Sequence, residues 1–141
     1  MIAVRFLSKS GNTEKLARAI AEAAGVQAVS IGAAESALSG ETDLLFLGSA
    51  VYAFGLDETV KAFIQGLDPA KVKRVAVFST TAVVKSVYPH IKKLLDARGI
   101  PLLEKEFHCR GEFKILHQGR PNAADLERAG AFARELTGEL A

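Results

Sequence analysis

Ile2-Ala3-Val4-Arg5-Phe6-Leu7 passes directly into Ser8-Lys9-Ser10-Gly11-Asn12-Thr13, and from Glu14 to Ala24 apolar residues recur at helical spacing. A buried strand thus hands over to a helix through a turn rich in hydroxyls, with one glycine. Backbone N–H groups at the start of a helix have no partner within it, and the helix dipole turns its positive end toward the same point. Hydroxyls and a glycine at that point make a nest for an anion, phosphate above all. The nest is not a Walker A loop, because the glycine run and the closing Gly-Lys-Ser/Thr are missing. Nor is it a dinucleotide fingerprint, which needs three spaced glycines where only Gly11 stands.

The rest of the chain alternates apolar runs with amphipathic stretches. A short second strand is expected around Val26, Ala28, Val29 and Ile31. Leu44–Leu47 and Val75–Phe78 read as strands buried on both faces, the pattern of a parallel sheet covered by helices. A fifth strand is expected to begin at Pro101-Leu102-Leu103 and to run to Phe107 or beyond. Leu16, Ala17, Ile20 and Ala21 mark the inner face of the first helix, which Gly25 stops. Asp57 and Glu58 open a second helix with Val60, Phe63 and Ile64 inside. Ile91, Leu94 and Leu95 mark a third, closed by Gly99, and Pro121-Asn122-Ala123 leads into a last one through Leu126, Ala129, Phe132, Ala133 and Leu136. A further short helix is expected over Ala33–Leu38. The expected fold is an α/β three-layer sandwich around a five-stranded parallel sheet in order 2-1-3-4-5, with ligand loops after strands one, three and four.

With 141 residues the chain is expected to form a single domain over 1–141. A hydrophobic fraction of 49% suits a packed core. No apolar run approaches the ~20 residues of a membrane span, and Met1 leads straight into the first strand, so the protein is expected in the cytoplasm, away from membranes. The net charge of +2 is too small to indicate nucleic acid. Lys71, Lys73, Arg74, Lys85, Lys92, Lys93 and Arg98 do concentrate positive charge against Asp96 alone, which suggests a docking surface for an acidic partner. The one cysteine, Cys109, excludes an internal disulfide and reads as a small buried hydrophobe. His90, His108 and His117 make no metal-ligand pattern with it.

The pattern Ser-x-Ser-Gly-x-Thr after the first strand resembles the phosphate loop of the flavodoxin family. Two further segments extend the resemblance. Gly48-Ser49-Ala50-Val51-Tyr52-Ala53-Phe54-Gly55 is similar to the loop with which that family holds an isoalloxazine ring. Phe78-Ser79-Thr80-Thr81-Ala82 is similar to its second flavin-edge loop. Phe107-His108-Cys109-Arg110-Gly111 and Gly119-Arg120-Pro121-Asn122 resemble the last strand and the approach to the final helix. The resemblance implies FMN as cofactor, with Ser8, Lys9, Ser10, Gly11, Asn12 and Thr13 around the phosphate. It places Ser49, Ala50, Val51, Tyr52 and Ala53 at the ring, and Ser79, Thr80, Thr81 and Ala82 at its pyrimidine edge. Tyr52 offers a flat face for stacking while its hydroxyl stays wet. Three features depart from the family pattern: Lys9 puts a cation inside the phosphate loop, Ala82-Val83-Val84 replaces common glycines, and the isoelectric point near 8.8 contrasts with the acidic character of many relatives.

The resemblance implies a low-potential one-electron carrier between redox proteins, acting as a monomer or homodimer, more a transfer protein than a stand-alone enzyme. Two alternatives share these loops: a small FMN-dependent NAD(P)H or quinone reductase, and an interaction domain without cofactor. A phosphoacceptor receiver domain would need acidic residues where Ser8-Lys9-Ser10 and Gly48-Ser49 stand. A serine hydrolase would need a Gly-x-Ser-x-Gly elbow, which the sequence lacks.

Overall fold

The computed structural model describes residues 1–9, 11–33, 36–38, 40–51, 56–81, 87–110 and 119–139. In chain order the elements are β1 (Ile2–Phe6), α1 (Asn12–Ala24), β2 (Ala28–Ser30), β3 (Leu44–Val51), α2 (Glu58–Gln65), β4 (Val75–Thr81), α3 (Tyr88–Arg98), β5 (Phe107–Arg110) and α4 (Ala123–Gly138). The strands are parallel and ordered β2-β1-β3-β4-β5, as the alternation of buried runs and helices predicts.

Strand alternation sorts the core into two layers. Ala3, Leu45, Leu47, Val75 and Val77 turn toward α2 and α3, where Val60, Ile64, Ile91 and Leu95 meet them. Val4, Leu44, Phe46, Ala76 and Phe78 turn the other way, onto Leu16 and Ile20 of α1 and Phe132 and Leu136 of α4. Because β3 and β4 are covered on both faces, their side chains are apolar without a break through Leu47 and Phe78. Each large aliphatic buried in this way contributes about 1.5–3 kcal/mol. Phe132 sets its ring edge-on to Phe46, with centroids 6.0 Å apart.

Helix ends follow local chemistry. Asp57 caps α2 by accepting the Thr59 N–H at 2.8 Å. Asn122 and Asp125 form a reciprocal capping box at the start of α4. Gly25 and Gly99 close α1 and α3 in the left-handed conformation, at φ 74° and 72°.

One expectation differs from the structure, and a second is only partly described. β5 covers Phe107–Arg110, whereas Pro101–Leu103 meets β4 only at an isolated bridge between Leu102 and Val75. The charged run Glu104-Lys105-Glu106 interrupts the ladder, and Lys105 instead pairs with Glu135 of α4 and with Glu139 just past its end. The short helix expected over Ala33–Leu38 falls partly on residues outside those described. The described part is a turn in which Ser36 N–H donates to the Ala33 carbonyl at 3.1 Å.

Candidate functional site

All five strands point their C-terminal ends to one edge of the sheet, and the strand order reverses between β1 and β3. Ligands of open parallel sheets bind outside that edge, at the point of reversal. The turn into α1 lies there, as do the ends of β3 and β4.

The first loop is held from both sides. Leu7 N–H donates to the Gly48 carbonyl at 3.0 Å, which carries the β1–β3 pairing up to the loop. Gly11 then adopts φ 90°, a left-handed conformation open to glycine and strained for side-chain-bearing residues. Its N–H donates to Ser8 Oγ at 3.0 Å, so the Ser8 hydroxyl hydrogen remains free to donate outward. Lys15 N–H bonds the Gly11 carbonyl and opens the helical ladder. Asn12 and Thr13 are buried at the helix start, Thr13 only 1% exposed. The Thr13 hydroxyl turns inward and lies 2.8 Å from the hydroxyl of Thr80, itself buried near the end of β4.

Lys9 projects away from the turn and pairs with Asp57 at 2.9 Å. The Lys9 ammonium and the Thr59 N–H together hold the Asp57 carboxyl below the usual carboxylate range. The cation that departs from the family pattern thus joins the first loop to the start of α2.

The ends of β3 and β4 carry the remaining described groups. Ser49 and Ser79 are register partners, both buried on the α2/α3 side. Ser49 Oγ donates to the Ala50 carbonyl at 3.1 Å. Ser79 Oγ is fully buried and has no hydrogen-bond partner among the described residues, a condition that costs about 1–3 kcal/mol and that buried hydroxyls rarely tolerate. Adjacent Ser79 and Thr80 point to opposite faces of the sheet, one orphaned and one tied to Thr13. Val51 and Thr81 are register partners at the strand ends. Ser10, Tyr52, Ala53 and Ala82 lie outside the described residues, as does Phe54.

Gly48 has a different reason to be glycine than a ring contact. A Cβ there would come within 2.1 Å of the Phe78 ring, which lies across the Gly48 backbone. Only glycine at this position admits the buried Phe78 ring.

Of the basic residues singled out in the sequence, those described lie before β4 and along α3. Lys71, Lys73 and Arg74 precede β4 and Arg98 ends α3, at the edge of the sheet opposite the loops. Lys73 pairs with Asp43, Arg98 donates to the Leu67 carbonyl, and Lys92 pairs with Asp96 within α3. Lys85 lies outside the described residues. Nearer the loops, Arg120 and Arg128 converge on the buried Asp125. Sequence reading missed this cluster, as well as the Thr13–Thr80 and Lys9–Asp57 pairs, because each joins residues through tertiary packing or through a turn of unreadable geometry.

A family model described as a flavodoxin domain matches residues 3–108. An uncharacterized protein of Methanocaldococcus jannaschii is 26% identical over 135 residues, covering 89% of each chain. Among solved structures, a flavodoxin from the domain Archaea superposes with a TM-score of 0.77 at 19% identity, over 99% of this chain and 98% of that one. Flavodoxin 2 of Bacillus cereus gives 0.70 at 21% identity over 98% of both. Rubredoxin oxygen:oxidoreductase of Desulfovibrio gigas gives 0.74 at 21% identity, with this chain spanning 37% of that longer one. The structural likenesses share the fold, the family match spans the first loop and the ends of β3 and β4, and the chain belongs to the flavodoxin domain family.

Proposed function

We propose that this chain binds FMN at the C-terminal edge of its sheet and carries electrons one at a time between redox proteins. The observation that carries the reading is the Gly11 turn, which presents the first helical N–H groups at the edge where the buried Ser79 hydroxyl lacks a partner among the described residues. Ser8, Ser10, Gly11, Asn12 and Thr13 would hold the phosphate. Of these, Thr13 would contribute its N–H, and the Thr13–Thr80 pair the one hydroxyl hydrogen that its bond leaves over. Ser49 to Ala53 and Ser79 to Ala82 would hold the ring, through backbone groups and the face of Tyr52. These donors are neutral and fit a dianionic phosphate monoester at a helix start.

When bound, FMN supplies the capacity to accept and release single electrons. The chain's own residues orient the ring, exclude water from its inner edge, and hold the two ring loops at the ends of β3 and β4. No side chain has an acid–base role, because electron transfer makes and breaks no substrate carbon bond. The partner is a second redox protein that approaches the loop edge. If that partner is acidic, salt slows the encounter.

Calorimetric titration of the apoprotein tests the site: FMN binds more tightly than riboflavin, which cannot fill the nest. Equal affinities would overturn the phosphate assignment. Steady-state assays test the carrier role. Multiple-turnover oxidation of NAD(P)H by a quinone, without a separate reductase, would replace it with the reductase reading.

A further inference from the structure

α1 and α4 lie side by side on one face of the sheet, and a groove of about 650 Å3 runs between their outer surfaces. Small and apolar side chains floor it: Ala19 and Ala23 from α1, Leu126 and Gly130 from α4. A Cβ at Gly130 would stand 3.8 Å from the Ala23 Cβ and 3.3 Å from the Arg134 guanidinium, so the two helices are already close there. Lys15, Arg18, Glu22, Glu127 and Arg134 form the rim. Arg18 pairs with Glu14 of its own helix. The other four make no ion pair among the described residues.

Both helices start at the C-terminal edge of the sheet and run away from it. Near that edge α1 carries Lys15 and Arg18, while α4 carries Glu127. Toward the opposite edge α1 carries Glu22 and α4 carries Arg134. The signs therefore alternate around the groove, like charges occupying diagonal corners.

A face with this pattern complements itself. Rotation about a two-fold axis lying in the face and perpendicular to the helices sets Glu22 of a second copy against Lys15 and Arg18, and Arg134 against Glu127. The same rotation makes facing helices antiparallel, which their dipoles favour. Ala19 lies between the opposite charges of its own helix, where a small, half-buried side chain lets backbones approach. A partner of a single charge sign would be repelled at half of the corners. We propose that the α1/α4 face pairs with a second copy of this chain in an isologous, antiparallel four-helix contact.

The face measures roughly 20 by 20 Å from helix length and width. That is small for a specific interface, so the dimer is reversible and weakened by salt. The axis direction leaves the two loop edges pointing apart, both accessible.

Sedimentation velocity over a concentration series at low salt tests the proposal, with circular dichroism confirming that each variant folds. The wild-type sedimentation coefficient rises with concentration. Arg134→Glu, which sets like charge against Glu127, weakens association by about tenfold or more. Adding Glu127→Arg to Arg134→Glu restores it. Rescue by Glu22→Arg instead would overturn the antiparallel arrangement, because it would pair α1 with α4 across the axis. A sedimentation coefficient independent of concentration, or association indifferent to Arg134→Glu, would overturn the dimer itself.

Discussion

The hydroxyls of Thr13 and Thr80 lie 2.8 Å apart, both buried, and join the first turn of α1 to the end of β4 across 67 residues of chain. Either can donate. One hydroxyl hydrogen makes the bond, so the other is left for a further acceptor. The first loop and the β4 end are therefore one hydrogen-bonded unit.

Replacing either threonine by valine keeps the shape and strands one buried hydroxyl, at a cost of about 1–3 kcal/mol. The double replacement is expected to be closer to wild type than the sum of the singles. Urea unfolding of the four proteins measures the coupling. In ligand titrations, Thr13→Val weakens FMN about tenfold or more, in line with loss of a hydrogen bond to a charged group. Riboflavin affinity changes less, and Thr80→Val discriminates less between the two.

Gly48→Ala tests the packing of Phe78. The added Cβ falls inside the ring, so the ring or the strand must shift. Overpacking of this kind costs about 1–3 kcal/mol. Pairing Gly48→Ala with Phe78→Leu is expected to recover part of the loss in thermal unfolding, since the obstructing ring is gone.

Asp125 gives the fold a defined acid sensitivity. Burial pushes its carboxyl up, but hydrogen bonds from Arg120 and the Asn122 N–H, with the charges of Arg120 and Arg128, hold it below the usual range. A carboxyl depressed in the folded state stabilises fully above its unfolded pKa of about 4, and that contribution is lost as pH falls through the lower folded value. Asp125→Asn is expected to lower stability by roughly 1.5–3 kcal/mol at neutral pH, because Arg120 and Arg128 lose their acceptor but can rehydrate. The difference from wild type shrinks as pH falls below about 4 and through the lower folded value. Denaturation at stepped pH checks both the size and the sign.

Cys109 is inert in the folded state. Burial pushes its thiol up to about 11, with the Asp125 charge adding to the rise and Arg120 and Arg128 opposing it. The thiolate is the reactive form, so alkylation at about pH 8 is expected to be slow until denaturant exposes the residue. A rate in the native protein equal to that in urea would contradict this burial.

Lys9→Ala probes the link to Asp57. The lysine is 65% exposed, so its removal costs only ~0–1 kcal/mol. Asp57→Ala is the larger change, about 0.5–2 kcal/mol, because the Thr59 N–H also loses its cap. Thermal unfolding at low and high salt separates the two: the Lys9 effect fades with salt and the cap effect persists.

Periodicity was enough for a parallel sheet covered on both faces, while its order needed the rules of chain crossover. Continuous apolar runs such as Leu44–Leu47 demand cover on both faces, and right-handed crossovers with amphipathic helices leave few ways to supply it. The Ser8–Thr13 turn was equally readable, because a strand, a glycine and a helix start are local facts. The start of β5 was not: Pro101–Leu103 has strand character, yet tertiary packing ties Lys105 to α4 and restarts the strand at Phe107. Nor could spacing show that Gly48 is demanded by the Phe78 ring, that Lys9 serves Asp57, or that Thr13 bonds Thr80. Each of those contacts joins residues whose separation along the chain carries no distance, and only the register of neighbouring strands and the packing of helices on the sheet bring them within reach.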